Sequence, residues 1–380
     1  MTFSFETLRR RPDVESPNLF AFDASDRLIL DEAREALGEA GSGEVVVLGD
    51  RYGALTLGAA AEHELTGIRV FQDALTGEQA LASNADAAGL AGVYSSHALD
   101  AGLLTGARVV LLQLPRSLAE LEEIADAIAR YAHEGVAVFA GGRIKHLTLA
   151  MNDVLARFFG EVHATRARQK SRVLIARGAL RPTDAPPYPR FEEHPELGLT
   201  VAGHGGVFAA TGLDIGTRYL LGFLDRVSPD AGVAIDLGCG TGILAAALAQ
   251  RLPNLAVTAT DQSAIAVASA RATLLANGLE RVTVVRDNGL SQQPDAHADV
   301  IVCNPPFHVG SSVHTGAALA LFRDAARVLA PGGSLFTVFN SHLAYQPDLR
   351  RIVGPTTVLG QNSKFTVTVS TKPAPRTRDN

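Results

Sequence analysis

Cysteine is almost missing from this chain: among 380 residues only Cys239 and Cys303 carry a thiol. With no CxxC pair and no histidine at ligand spacing beside them, neither a disulfide framework nor a structural zinc site is expected. Tryptophan is absent and methionine occurs twice, which decides nothing about function. No segment approaches the roughly 18–20 uninterrupted apolar residues of a membrane-spanning helix. The opening stretch MTFSFETLRRRPDVES lacks the apolar centre of a secretory signal. A reduced, cytoplasmic protein without membrane or metal is expected. Apolar material is plentiful, at 47% against 19% charged residues. That supports real cores over a length suited to two domains of about 100–200 residues each.

Surplus positive charge is lacking too, since 34 basic and 40 acidic residues leave −6. Read as uniform, that balance argues against a nucleic-acid partner, because phosphate binding rests on Lys and Arg. Charge is not uniform. Residues 1–140 sum to about −12, whereas 141–190 hold ten basic side chains against Asp153, Glu161 and Asp184. Arg143, Lys145, Arg166, Arg168, Lys170 and Arg172 lie in this block. TRARQKSR directly precedes the apolar run VLIA, so the charge sits at a sheet end. Two readings stand: a solvated surface, or a set of phosphate contacts.

A polar, proline-rich stretch at 181–200 divides the chain into candidate domains 1–180 and 201–380. The same order of elements occurs on both sides. GVAIDLGCGTG reads as a strand and glycine turn, ILAAALAQRL as a helix, and LAVTATD, VTVVRD and DVIVC as further strands. A helix LALFRDAARVLAPGG precedes the late strands SLFTVFN and KFTVTVS. In the first half EVVVLGDRYG, IRVFQD, ARVVLLQLPRS, GVAVFAGG and SRVLIA repeat the plan. Strands alternating with helices predict α/β domains, each a doubly wound, mostly parallel sheet with late antiparallel strands. Aligning Gly49 with Gly238 brings Pro115 to within one residue of Pro305, as a duplication would. In that alignment Val47, Arg51 and Tyr52 replace Asp236, Gly240 and Thr241, while Leu114 and Ser117 replace Asn304 and Phe307. The first copy keeps the scaffold without the reactive groups.

In the second copy, Gly238-Cys239-Gly240 at a strand-to-helix turn allows close approach of a ligand. The spacing is not the GxGxxG of dinucleotide binders, and Asp236 before it suits a cationic ligand better than a pyrophosphate. Asp261, followed by Gln262, ends the next strand where a carboxylate takes a ribose diol, although a helix cap is the alternative. Asp287-Asn288 ends the third strand, facing an adenine edge in the same reading. Asn304-Pro305-Pro306-Phe307 closes the fourth. Its prolines stiffen the turn and leave carbonyls free. The Asn304 side-chain oxygen and the Pro305 carbonyl suit the hydrogens of an exocyclic amine, and Phe307 suits a stacked base. The alternative is a proline-terminated strand with a core phenylalanine.

DLGCGTG followed by NPPF resembles the class I S-adenosylmethionine-dependent amino-methyltransferases. GVFAATGLDIGTRYLL, NPPFH and the closing KFTV look like the bacterial ribosomal RNA guanine-N2 methyltransferases, the small-subunit methyltransferase C and large-subunit methyltransferase G group. The resemblance spans nearly the whole chain and implies two tandem Rossmann-like methyltransferase domains, the first degenerate and serving RNA binding or structure. It implies methyl transfer from S-adenosylmethionine to the N2 amine of one guanine in ribosomal RNA or a ribosomal subunit. Small-subunit RNA is the first expectation, although small-subunit members often read FHDG where this chain reads FHVG. It further implies donor contacts from Asp236, Gly238, Cys239, Gly240, Asp261, Gln262, Asp287, Asn288 and Asn304, and base contacts from Asn304 to Phe307. Tandem domains make a monomer self-sufficient. His308 reads as a phosphate or structural contact rather than a base. Phe208 reads equally as a lid over the donor or an apolar staple. Rival readings are an adenine-N6 or protein glutamine-N5 methyltransferase, in which tyrosine typically follows the prolines, and a non-catalytic RNA-binding assembly factor.

Overall fold

The computed structural model describes residues 3–305 and 315–374. The chain divides into two compact units, Met1–Tyr188 and Pro189–Asn380. In the first, β1 (Val45–Leu48), β2 (Ile68–Phe71), β3 (Tyr94–Ser96), β4 (Val109–Gln113), β5 (Ala137–Arg143), β6 (Phe159–Ala164) and β7 (Ser171–Ala179) form one sheet in the order β3-β2-β1-β4-β5-β7-β6. In the second, β8 (Arg190–His194) pairs with β9 (Leu199–Gly203). There β10 (Val233–Leu237), β11 (Ala256–Asp261), β12 (Thr283–Arg286), β13 (Ala298–Cys303), β14 (Leu329–Asn340), β15 (Thr356–Gln361) and β16 (Phe365–Thr371) repeat the order as β12-β11-β10-β13-β14-β16-β15. Five strands of each sheet are parallel and the last two pairings antiparallel. This is the class I methyltransferase architecture, present twice.

The central strands form because they are apolar on both faces: VVVL of β1 and VIVC of β13 are buried throughout, as a parallel sheet covered by helices requires. Apolar layers cover both faces of the second sheet, one holding Leu244, Leu248 and Val302, the other Ile301, Phe322 and Phe339. Phe322 and Phe339 meet Tyr345 edge-on with ring centroids 5.5 Å apart. Polar caps start the helices: Ser117 accepts from Glu120 N at 3.2 Å and Ser263 from Ala266 N at 3.0 Å.

Three differences from the sequence reading concern edges. β3, β6 and β15 were not expected, because edge strands need no continuous apolar run; β6 reads FGEVHA and is mostly exposed. The helix at Thr315–Val328 stops before the proline, and Leu329–Gly333 already belongs to β14. The stretch 181–200, expected as a linker, contains all of β8 and the start of β9. Side chains of the helix Ala264–Ala276 and of Asn277 hold this hairpin: Thr200 N donates to Asn277 Oδ1 at 2.9 Å, Ala202 N to Thr273 Oγ1 at 2.9 Å, and His204 N to Ser269 Oγ at 3.1 Å.

Candidate functional site

The site lies where the parallel strands of the second sheet end. After β10 the chain turns through Gly238, Gly240 and Gly242, with φ of +77°, +52° and +79°, a region in which a Cβ is strained. A Cβ added at Gly238 or Gly240 meets nothing within 4 Å, whereas one at Gly242 meets Ala270 at 3.1 Å. The first two glycines therefore leave an open cradle, and the third packs the helix Ile243–Arg251 against its neighbour. The amides of this turn are already engaged. Gly238 N and Cys239 N both donate to Thr260 O at 2.9 Å, and Gly240 N donates to Asp261 Oδ2 at 3.0 Å. The turn thus offers space more than free donors, which suits a ligand without phosphates. Cys239 faces the core, and burial raises its thiol pKa well above the ordinary value. Its carbonyl accepts from Gly242 N at 2.8 Å, so this residue shapes the turn.

Asp236 is fully buried under the turn; one oxygen accepts from Ala245 N at 2.9 Å and the other has no partner among the described residues. Burial pushes its carboxyl up to about 7, and the nearby Asp261 adds to the shift. Asp261 also accepts from Ser263 N at 2.9 Å, so it combines a capping contact with a place beside the cradle. Gln262 is exposed next to it. The Asp287 carboxylate is turned inward, accepting from Ser291 Oγ at 2.5 Å and Gln292 N at 2.9 Å. Fully buried, it holds its own loop, which leaves the half-buried Asn288 as the side chain near the rim.

At the end of β13, Asn304 is held from one side only. Its Nδ2 donates to Asp214 Oδ2 and to Thr217 Oγ1, both at 3.0 Å, while its Oδ1 is buried without a partner among the described residues. Asp214 also caps the helix Ile215–Leu221, accepting from Thr217 N at 3.0 Å. Asp214 and Thr217 were not expected as site residues. They lie 90 and 87 positions from Asn304, and only the stretch GLDIGTRYLL hinted at them. Pro305 is buried beside Asn304. Pro306, Phe307 and His308 lie outside the described residues. Phe208 is 72% exposed, and the strained turn after it, with Ala209 and Ala210 at φ +62° and +51°, is braced by His194 Nε2 within 2.9 Å of Thr211 O.

Strand register fixes the internal comparison. Leu237 pairs with Thr260 and Cys303, and Leu48 pairs with Phe71 and Leu112. Val47, Asp50, Arg51 and Gln72 thus stand where the second copy has Asp236, Cys239, Gly240 and Asp261. The position of Asn304 is taken by Gln113, not by Leu114 as the proline alignment had it. Arg51 keeps the left-handed backbone of its counterpart, at φ +42°, but puts a long side chain, exposed to solvent, where the second copy has none. Asp50 instead caps the helix, accepting from Leu55 N and Thr56 N at 2.8 Å. The N-terminal segment covers the remnant: Tyr52 Oη donates to Asp13 at 2.5 Å, and the Arg10 guanidinium lies 4.7 Å from the Tyr52 ring centroid.

Part of the basic block forms one end of the first sheet, whereas Arg177, opposite Glu161, lies toward the other end and Arg190 begins β8. Arg143 closes β5, paired with Ser171, and Arg172 follows opposite Gly142. The turn carrying Arg166, Arg168 and Lys170 leads into β7, and Ile144 N donates to Lys170 O at 2.9 Å. Arg51 and Arg116, from turns at the same carboxyl edge, were not expected there. With burial as the main cause, Arg116, Lys145 and Arg51 hold the His146 imidazole pKa below its ordinary value. Arg168 is partly neutralised by Asp31. Among the described residues no cluster of three or more His, Cys, Asp or Glu could hold a metal, and no helix is long and apolar enough to cross a membrane.

Comparison with known proteins accounts for both halves. Residues 1–180 match the RLMG N-terminal domain and residues 198–369 the methyltransferase small domain. A solved structure of a T. thermophilus 16S rRNA N2 methyltransferase, in complex with AdoMet and guanosine, shares the fold with a TM-score of 0.73, at 23% identity over 94% of this chain and 97% of that one. Proteins named ribosomal RNA large subunit methyltransferase G are more similar in sequence. That of Streptomyces avermitilis is 37% identical over 95% of both chains. That of Shewanella amazonensis is 32% identical over 96% of both. The chain belongs to the ribosomal RNA large subunit methyltransferase G family.

Proposed function

We propose that the protein transfers a methyl group from S-adenosylmethionine to the exocyclic N2 amine of a guanine in ribosomal RNA, with the second unit catalytic and the first an RNA-binding platform. The relatives named for the large subunit favour its RNA over the small-subunit RNA expected from sequence. The observation that carries the reading is the buried Oδ1 of Asn304 at the carboxyl end of β13, which has no partner among the described residues. A buried acceptor without a partner costs stability, and an amine hydrogen from a base would satisfy it.

The cradle fits the donor. Space opens at Gly238 and Gly240, Asp261 lies beside it for a ribose diol, and the Asp236 oxygen that has no partner among the described residues sits below. Bound S-adenosylmethionine supplies an activated methyl group on a sulfonium. The chain's own residues then orient and shield. Guanine N2 is a poor nucleophile because its lone pair is delocalised into the ring. An acceptor at Asn304, with the Pro305 carbonyl, draws charge toward that nitrogen as it pyramidalises. Asn288 takes the adenine-edge contact first assigned to Asp287. Arg143, Lys145, Arg166, Lys170 and Arg172, joined by Arg51 and Arg116, hold RNA phosphates without reading sequence.

Incubation with labelled donor and, in parallel, ribosomal RNA, DNA and a release factor tests the reading. Label in RNA guanine supports it. Label in DNA adenine or protein glutamine transfers the site to those acceptors. Donor binding without transfer to any of them leaves an assembly factor.

A further inference from the structure

The Asn304 amide is locked by geometry. Asp214 has only acceptor oxygens, so the group 3.0 Å from its Oδ2 must be the amide NH2 and not the amide oxygen. Thr217 Oγ1, also at 3.0 Å, takes the second amide hydrogen. Both donors of Asn304 are spent inside the protein, and Oδ1 is left as its sole offer to a substrate. The degenerate copy supplies a comparison within the same chain. There Gln113 Nε2 donates to Asp26 and, at 3.3 Å, to Ser25 Oγ, which also lies 3.4 Å from Gln113 Oε1. Counting from the capping residues Asp23 and Asp214, Ser25 stands where the second copy has Gly216 and Asp26 where it has Thr217. In one copy a hydroxyl lies against both atoms of the amide, with its own hydrogen given to Asp23 Oδ1. In the other, Gly216 brings no side chain there, and a Cβ added to it would come within 3.5 Å of Asn304 Nδ2.

We propose that Asp214 and Thr217 are positioning residues that hold the Asn304 NH2 and so keep its oxygen as the acceptor offered to a substrate, making the site selective for a substrate group that donates N–H. An amine is accepted; a carbonyl or ring-nitrogen acceptor at the same place meets a second acceptor and is refused. The inference rests on the guanine-amine reading above. Asp214 Oδ2 accepts from both Thr217 N and Asn304 Nδ2, so Asp214→Asn could keep both contacts, whereas Asp214→Ser keeps the helix cap, since Ser serves as well as Asp there, and its shorter side chain withdraws the acceptor from Asn304.

The test is a double-mutant cycle on kcat with ribosomal RNA at saturating donor, supported by calorimetry of donor binding and a melting curve for each variant. Asp214→Ser lowers kcat at least about tenfold while the donor Kd moves by less than about twofold. In an Asn304→Ala background the same change adds less than about twofold, because its effect passes through Asn304. Thr217→Val loses activity that Thr217→Ser recovers. A kcat within about twofold of wild type for Asp214→Ser, or losses that multiply in the cycle, would overturn the proposal. An NMR readout separates this failure from failure of the functional reading. The side-chain NH2 pair of Asn304, assigned by its loss in Asn304→Ala, shows slow proton exchange in the wild type and fast exchange in Asp214→Ser. Fast exchange in the wild type defeats the inference whatever the substrate. A slow pair in a protein that methylates no guanine defeats the functional reading alone.

Discussion

Asn304 and Asp236 carry the chemistry through what they lack. Each presents a buried oxygen with no partner among the described residues, at positions a stability-driven sequence would fill. Asn304→Ala removes the acceptor for the amine, and methyl transfer then falls at least tenfold, about 1.4 kcal/mol, in a single-turnover assay. Asp236 makes a prediction in pH. Its folded pKa, raised to about 7 from an ordinary 3.8, means that the folded state favours the protonated acid. That stabilisation is complete below about pH 4 and is lost as pH rises toward 7. Asp236→Asn, which keeps an acceptor for Ala245 N, therefore raises the melting temperature more at pH 8 than at pH 5.5 while weakening donor binding. An equal rise at both pH values contradicts a buried, uncompensated carboxylate.

At the scale of elements, the glycine turn and the helix Ile215–Leu221 do the positioning. Arg51 shows that this turn accommodates a side chain on a left-handed backbone, at φ +42°. Gly240→Ala is expected to fold with a penalty of about 1 kcal/mol and to lower donor affinity at least about tenfold by calorimetry. Gly216→Ala works in the opposite sense to helix propensity. Alanine favours the helix by up to about 1 kcal/mol, but its Cβ meets Asp214 Oδ2 at 3.0 Å and Phe365 Cε1 at 3.1 Å. Stability near wild type with reduced kcat is the expected outcome.

Elements also mark what was legible in the sequence. DLGCGTG and NPP are contiguous, so Asp236, the glycines and Asn304 could be read from one stretch each. The contact between Asp214 and Asn304 crosses 90 residues, and no local pattern encodes it. Asp287 looked like its neighbours Asp236 and Asp261 at a strand end; only its side-chain direction, set by Ser291 and Gln292, separates them. The prolines misled the internal alignment by one residue, because strand register, not turn sequence, makes Gln113 the counterpart of Asn304.

For the whole molecule, two copies of one sheet order have diverged in their carboxyl edges. One edge keeps an open cradle and an amide oxygen with no partner among the described residues. The other carries Arg51 in the turn, is covered by the N-terminal segment and holds positive charge from Arg116, Arg143, Lys145 and Arg172. The total of −6 averages over an acidic first 140 residues and the basic block that follows. Lys145→Glu with Arg172→Glu is expected to weaken ribosomal RNA binding at every salt concentration and to flatten the dependence of log Kd on log salt by about one to two contacts' worth. An unchanged slope removes the first unit from the RNA interface.

The most direct measurement is nucleoside mass spectrometry of ribosomal RNA from a strain lacking this protein, before and after incubation with the purified enzyme and S-adenosylmethionine. The account predicts one N2-methylguanosine missing from large-subunit RNA and restored by the wild type but not by Asn304→Ala. Restoration by Asn304→Ala, or a missing methyl on adenine, would contradict it.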